Sequence, residues 1–284
     1  MELLQLNKFG DLHNGRNIIF CKTELLKDEL IKIGKIKNEV ILISGNADEG
    51  IDSSHISIMP DNIKLWYCQN NLVFHDKLRS IPIGLENTVI NKRKGHGVAW
   101  PHAVQKIQLL NDAFNGAGNE PPSKFLYANF NTKTNPIHRD PVKNTCISSP
   151  FITWDEPSLS YPDFIKSVLD HEATICPAGN GIDTHRLYEI LYCKRVAVTF
   201  KIGDFPVYKD LYEKLPVVIL NTVDDLKDHD RLQELIGIAK QKKENLELLD
   251  FNFWRQLITN VANEIFVDEK NIFNRFLSYV NKTP

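Results

Sequence analysis

The chain has 284 residues, 42% of them hydrophobic and 25% charged, with a net charge of −2. These are the proportions of an ordinary globular protein whose length favours two domains, and the near-neutral balance gives no reason to expect nucleic acid as a partner. No run approaches the ~18 consecutive apolar residues needed to cross a bilayer, and Met1–Asn17 lacks the basic start and apolar core of a signal peptide. The expectation is a soluble, cytoplasmic protein with no membrane insertion, working where it is made.

In chain order, short apolar runs alternate with amphipathic stretches. Asn17–Cys21, Glu39–Ser44, Lys64–Cys68 and Arg79–Gly84 read as strands, with a helix over Thr23–Ile33 between the first two. That helix carries Leu25, Leu26, Leu30 and Ile33 at helical spacing, and Gly34 follows as a stop. Asn91–His96 is a short basic run, read as a solvated loop, and Pro101–Phe114 is a helix. Asn115–Ser123 (NGAGNEPPS) is the strongest punctuation and reads as a linker.

The pattern then restarts. Lys124–Phe130, Ala173–Cys176, Arg195–Phe200 and Pro216–Leu220 read as strands. Arg139–Ile147, Asp183–Cys193, Arg231–Lys243, Asn252–Ile265 and Glu269–Val280 read as helices, the last two with an apolar stripe suited to packing. Strands alternating with helices imply parallel sheets covered on both faces, so the expected class is α/β, two Rossmann-like domains facing a cleft. The expected division is 1–118 and 119–249, with a C-terminal helix of about 250–284 completing the first domain. Ligands of such sheets bind beyond the carboxyl ends of the strands.

Chemistry concentrates after the strand ending near Cys176. Pro177-Ala178-Gly179-Asn180-Gly181 is a glycine-rich turn, and Asp183-Thr184-His185-Arg186 opens a helix. A helix start offers unpaired N–H groups and about half a positive charge to a phosphate, and Arg186 adds a planar donor fork. Glu189 lies three residues on, on the same side, where it could accept hydrogen bonds from a ribose. The plain alternative is a turn followed by a surface Arg/Glu pair. The five cysteines show no CxxC or CxH spacing and the nine histidines no HxxxH or HExxH pattern, so no metal is expected. A nicotinamide-type oxidoreductase would need GxGxxG after the first strand, where the chain instead reads KTELLK.

Cys176–Phe200 (CPAGNGIDTHRLYEILYCKRVAVTF) resembles the donor-binding motif of exostosin-type glycosyltransferases, family 47. Other segments are similar in the same order: Ile43–Asp48 (ISGNAD), Trp66–Asn71 (WYCQNN), Ile81–Asn87 (IPIGLEN), Asn129–Arg139 (NFNTKTNPIHR) and Leu215–Asp225 (LPVVILNTVDD). The resemblance implies a GT-B fold whose last helix crosses back to the first domain. It implies an inverting transfer from a nucleotide sugar to a glycan or glycoprotein acceptor, without a bound metal or other cofactor. Arg139 and Arg186 would neutralise the diphosphate, Asn180, Gly181, Asp183, Thr184 and His185 would shape the pocket, and Glu189 would meet the ribose.

An inverting transfer needs a general base, expected from the N-terminal domain across the cleft. Asp48, His75, Asp76 and Glu86 stand there as possibilities. Asp76 is the preferred base with Glu86 second, and Asn46, Asp48 and His75 are expected at the acceptor. Trp66, Tyr67 and Trp100 could stack on a sugar, but aromatics at strand ends are more often core. A chain lacking a membrane anchor is more similar to microbial or large-algal-virus members of the family. On that likeness the expected donor is UDP-xylose and the acceptor a fucose, in the host cytoplasm if the source is viral. The competing expectation is a catalytically degenerate module of the same fold that binds glycans or acts as a scaffold.

Overall fold

This computed structural model describes residues 1–86 and 103–266. The basic run at 91–96, Trp100 and the predicted helix at 269–280 lie outside the described residues.

Four strands, β1 (Ile18–Lys22), β2 (Val40–Gly45), β3 (Ile63–Cys68) and β4 (Leu78–Ser80), form a parallel sheet in that spatial order. Alternation along them serves two cores. Ile19, Cys21, Leu42, Trp66 and Cys68 pack against Leu26, Leu30 and Ile33 of α1 (Leu26–Ile33). Ile18, Ile41, Ile43 and Tyr67 take the other face, in the same cluster as Leu3, Leu4 and Phe9 of the N-terminal segment. A four-residue helix, α2 (Ser53–Ile56), caps the β2–β3 connection through an Asp52 capping box. The predicted strand through Gly84 ends at Ser80. Ile81 still donates to the Cys68 carbonyl, but Pro82 has no N–H and Gly84 turns at φ +66°.

The second sheet has five parallel strands: β5 (Lys124–Ala128), β6 (Ile152–Trp154), β7 (His171–Ile175), β8 (Val196–Phe200) and β9 (Val217–Leu220). Their spatial order is β6-β5-β7-β8-β9, so the winding direction reverses between β5 and β7. One face packs on α4 (Pro136–Ser148) and α8 (His229–Lys240), through Val142, Cys146, Leu232, Ile236 and Ala239. The other packs on α5 (Tyr161–Asp170) and α6 (His185–Tyr192), through Phe164, Ile165, Val168, Leu187 and Leu191. A short α7 (Pro206–Asp210) precedes β9. Helices on both faces of a parallel sheet bear out the expected α/β class.

Among the described residues, four of the strands and α-helices exceed the sequence reading: α2, β6, α5 and α7. The capping signal of α5 is present in sequence, since Ser160 accepts from the Asp163 N–H and Pro162 sits in the first turn. Helix α3 (Ala103–Asn115) packs against α5 and α6. The Asn115–Ser123 stretch is a packed joint rather than a loose linker, because the buried Arg195 guanidinium donates to the carbonyls of Gly118 and Glu120. Helix α9 (Phe251–Phe266) crosses back to the chain start, as expected: the Phe251 N–H donates to the Glu2 carbonyl, and Phe9 meets Phe251 and Trp254 edge-on.

One buried cluster runs without a break from the N-terminal segment and the first sheet through α5, α6, α7 and α9. Polar contacts reinforce that join. Asp210 accepts from the Ser80 N–H and hydroxyl, and the Tyr192 hydroxyl accepts from the Leu4 N–H while donating to the Leu249 carbonyl.

Candidate functional site at the junction of the two sheets

A parallel sheet leaves a crevice where its winding reverses, because the loops leaving the two adjacent strands diverge to opposite faces. The second sheet reverses between β5 and β7, and a cavity of about 310 Å³ lies there. The loop after β5 contributes Phe130, Asn131 and Thr134, and α4 contributes Arg139. The loop after β7 and the start of α6 contribute Gly179, Asn180, Gly181, Asp183, Thr184, His185, Arg186 and Glu189. Asp48, Ile83 and Glu86 close it from the first sheet, with Lys106 from α3.

Two helices begin at this crevice, α4 with Pro136 as its first residue and α6 after Thr184, and neither start carries a side-chain cap. Their free N–H groups and dipoles make the crevice favourable to an anion. Arg139 is buried and donates to the carbonyls of Asn131, Pro177 and Ala178 at 2.8, 3.1 and 2.8 Å. Among the described residues no carboxylate pairs with it. Burial foremost, and then the nearby Arg186 cation, lower its pKa from the usual arginine range. Arg186 stacks its guanidinium 3.7 Å above the Phe164 ring, and its Nη1 is buried without a hydrogen-bond partner. Two neighbouring cations, one buried without a counter-charge and one with an unused donor, suit an anionic ligand.

The other predicted residues divide by role. Asp183 is a clasp: its carboxylate accepts from the Ile83 N–H and from the hydroxyls of Tyr188 and Tyr212 at 2.7–2.8 Å. Its N–H donates to Asn70 Oδ1. Burial raises its pKa, and the three donors oppose that rise. It lines the cavity and joins the two sheets, its carboxylate oxygens already taken by three donors. Gly181 passes so close to Asn70 that a Cβ would lie 2.8 Å from its Nδ2. His185 Nδ1 lies 2.7 Å from the Gly84 carbonyl, which can only accept, so Nδ1 carries hydrogen. Asn180 Nδ2 donates to Asp48 Oδ2 at 3.0 Å across the cavity. Asn46 is buried at φ +58°, its N–H bonded to Gln69 Oε1, where it shapes the β2 loop and does not line the cavity.

Asp76 and His75 are not brought to the cavity. They precede β4, and the pairing of Trp66 with Leu78 together with the Trp66 N–H to Lys77 carbonyl bond sets them at the amino end of that strand. The cavity is built from carboxyl-end loops. Glu86 does line it, but its Oε1 is ion-paired with Lys106 Nζ at 2.6 Å. Lys106 lies 2.6 Å from Glu189 Oε1 as well, and Arg186 Nε is 3.2 Å from Glu189 Oε2. The Glu86 carboxyl is held below the usual carboxylate range. Burial works to raise it, and the Lys106 and His185 charges outweigh that. The same two carboxylates raise the Lys106 ammonium against its own desolvation. Lys106 escaped the sequence reading, since a lysine on a helical stretch far from both glutamates carries no local signal. Trp66 is fully buried in the first core and Tyr67 nearly so, so both serve packing.

No family model matches the chain, and no curated protein matches it in sequence. Among solved structures it is similar to a UDP-forming alpha,alpha-trehalose-phosphate synthase from Burkholderia vietnamiensis. That likeness has 10% identity and a TM-score of 0.47, over 91% of this chain and 73% of the other. It is also similar to an alpha1,3-fucosyltransferase with GDP-fucose, at 12% identity and a TM-score of 0.37, over 82% and 81% of the two chains.

Proposed function

We propose that this protein is a glycosyltransferase that moves a sugar from a nucleoside-diphosphate sugar to a hydroxyl of a glycan acceptor. One observation carries the reading: at the winding reversal of the second sheet, two uncapped helix starts converge with the buried Arg139 and with Arg186. Such a crevice suits a diphosphate whose leaving-group charge is neutralised by side chains and helix dipoles, without a metal. The exostosin-like motif then favours a UDP-sugar and inversion. UDP-xylose is the first donor to test and a fucose-bearing glycan the first acceptor.

In that reaction the acceptor oxygen attacks the anomeric carbon as the carbon–oxygen bond to the diphosphate breaks. The bonding pair leaves with the diphosphate and the acceptor proton passes to a base. Asp48 is placed better for that role than Asp76. It follows the carboxyl end of β2, lines the cavity and faces the donor loop through Asn180. Glu86 is committed to Lys106.

The test is transfer and binding with UDP-xylose, UDP-glucuronate and UDP-GlcNAc in separate samples, followed by calorimetry and thermal shift. Arg186→Ala should weaken UDP binding by about tenfold or more, with the fold retained. Asp48→Asn should reduce transfer by about 100-fold or more while UDP binding survives. If no nucleotide sugar binds the wild-type protein, or if Arg186→Ala leaves affinity unchanged, the reading is wrong.

A further inference from the structure

Lys106 joins two carboxylates from opposite halves of the molecule. Glu86 Oε1 and Glu189 Oε1 are each 2.6 Å from its Nζ, so the two oxygens are no more than 5.2 Å apart. All three side chains line the cavity, with Glu189 only 3% exposed and Glu86 and Lys106 no more than 17%. The Tyr161 ring of α5 lies 4.7 Å beneath the ammonium. From α6, Arg186 pairs with Glu189 and His185 acts on Glu86, and Cys193, just past the end of that helix, lies in the field of Glu189. The charged and titratable neighbours therefore come from α3, α5, α6 with its C-terminal cap and the loop after β4.

Burial at this level is costly for an ion unless a counter-charge is fixed beside it. A carboxylate held between two cations retains lone pairs that can accept from ligand hydroxyls, because each oxygen can take more than one donor. We infer that Lys106 is a positioning residue that holds Glu189 as the acceptor for hydroxyl groups of a bound nucleotide sugar, with Glu86 as the tie to the first sheet. This inference rests on the proposed function and adds to it a residue on α3.

Without the ammonium, two buried carboxylates that close cannot both ionise cheaply, so one takes up a proton and the pair turns toward itself. Removing one of them should therefore restore what removing the lysine destroys. A lysine that served packing alone would not be rescued in that way.

The experiment measures calorimetric binding of UDP and of the UDP-sugar that binds wild-type protein, from pH 6 to pH 9. The variants are Lys106→Met, Lys106→Arg and the double variant Glu86→Gln with Lys106→Met, with thermal melts confirming the fold of each. Lys106→Met should weaken binding at pH 7 by roughly 10- to 100-fold and recover part of it as pH rises. Lys106→Arg and the double variant should stay within about fivefold of wild type. If UDP and UDP-sugar weaken alike, the hydroxyls belong to the ribose. If only the UDP-sugar weakens, they belong to the transferred sugar, and either result supports the inference. Unchanged affinity in Lys106→Met, or a loss that neither partner variant relieves, overturns it while leaving the proposed function standing. Should the variants prove unfolded, Glu189→Gln in the wild-type background gives the same decision, since unchanged affinity there also overturns the inference. Absence of any nucleotide binding by wild type overturns both.

Discussion

At the scale of single residues, chemistry-bearing types do different work according to what surrounds them. Asp183 and Glu86 are both carboxylates beside the cavity, and burial acts to raise both. It prevails at Asp183, while at Glu86 the Lys106 and His185 charges and hydrogen bonds together outweigh it, so their pKa values move in opposite directions. The sign for stability follows. Because the Glu86 pKa is lowered on folding, its ion pair contributes above the unfolded value of about 4.5 and is lost as pH falls through the lower folded value. Denaturation of wild type and Glu86→Gln should therefore differ most at neutral pH and converge as pH drops below about 4. A gap that is the same at pH 7 and pH 3.5 would show that the Lys106 pairing contributes nothing. The sequence offered Glu86 as a second-choice base. It could not show that a lysine from α3 occupies it, since the partners come from three separate segments.

At the scale of elements, the longer strands were legible as short continuous apolar runs, because a strand buried on both faces of a parallel sheet is apolar throughout. Short elements were not: β6 has three residues and α7 five, too few to display a period. The glycine-rich stretch at 115–123 was legible as a turn, but its packing was not. A Cβ on Gly118 would lie 2.6 Å from the Ala113 carbonyl oxygen and 2.8 Å from that of Cys193, and backbone atoms cannot swing aside. Gly118→Ala should lower stability by about 2 kcal/mol or more. Gly237, exposed within α8 with nothing within 4 Å of its added Cβ, gives the opposite outcome. Gly237→Ala should stabilise by about 0.5–1 kcal/mol, since alanine loses less backbone entropy in a helix. Urea denaturation of the two variants checks both signs, and equal effects would contradict the packing described.

At the scale of the whole molecule, the shared core and the polar clasps bear on cooperativity. The buried cluster spans both sheets, and Asp183, Asp210 and Tyr192 each bond across between the halves. Two independent domains joined by a linker would melt separately. This arrangement should give a single calorimetric transition whose van't Hoff and calorimetric enthalpies agree. If a nucleotide sugar binds as proposed, at 100 times its Kd it should stabilise that transition by about 2.7 kcal/mol. Two resolved transitions, with only one shifted by ligand, would overturn the coupling.

The sequence by itself determined the α/β class, the pair of parallel sheets and the segment Pro177–Glu189 as the place to look for an anion, because periodicity, glycine punctuation and helix starts are local properties. Only the tertiary structure decided that Arg139 is buried against carbonyls, that Asp183 clasps the two sheets, that Asp76 lies at the amino end of its strand away from the cavity and that Lys106 stands between two glutamates. Those outcomes depend on which distant segments meet at the carboxyl ends of two sheets, and a linear pattern carries no record of such meetings.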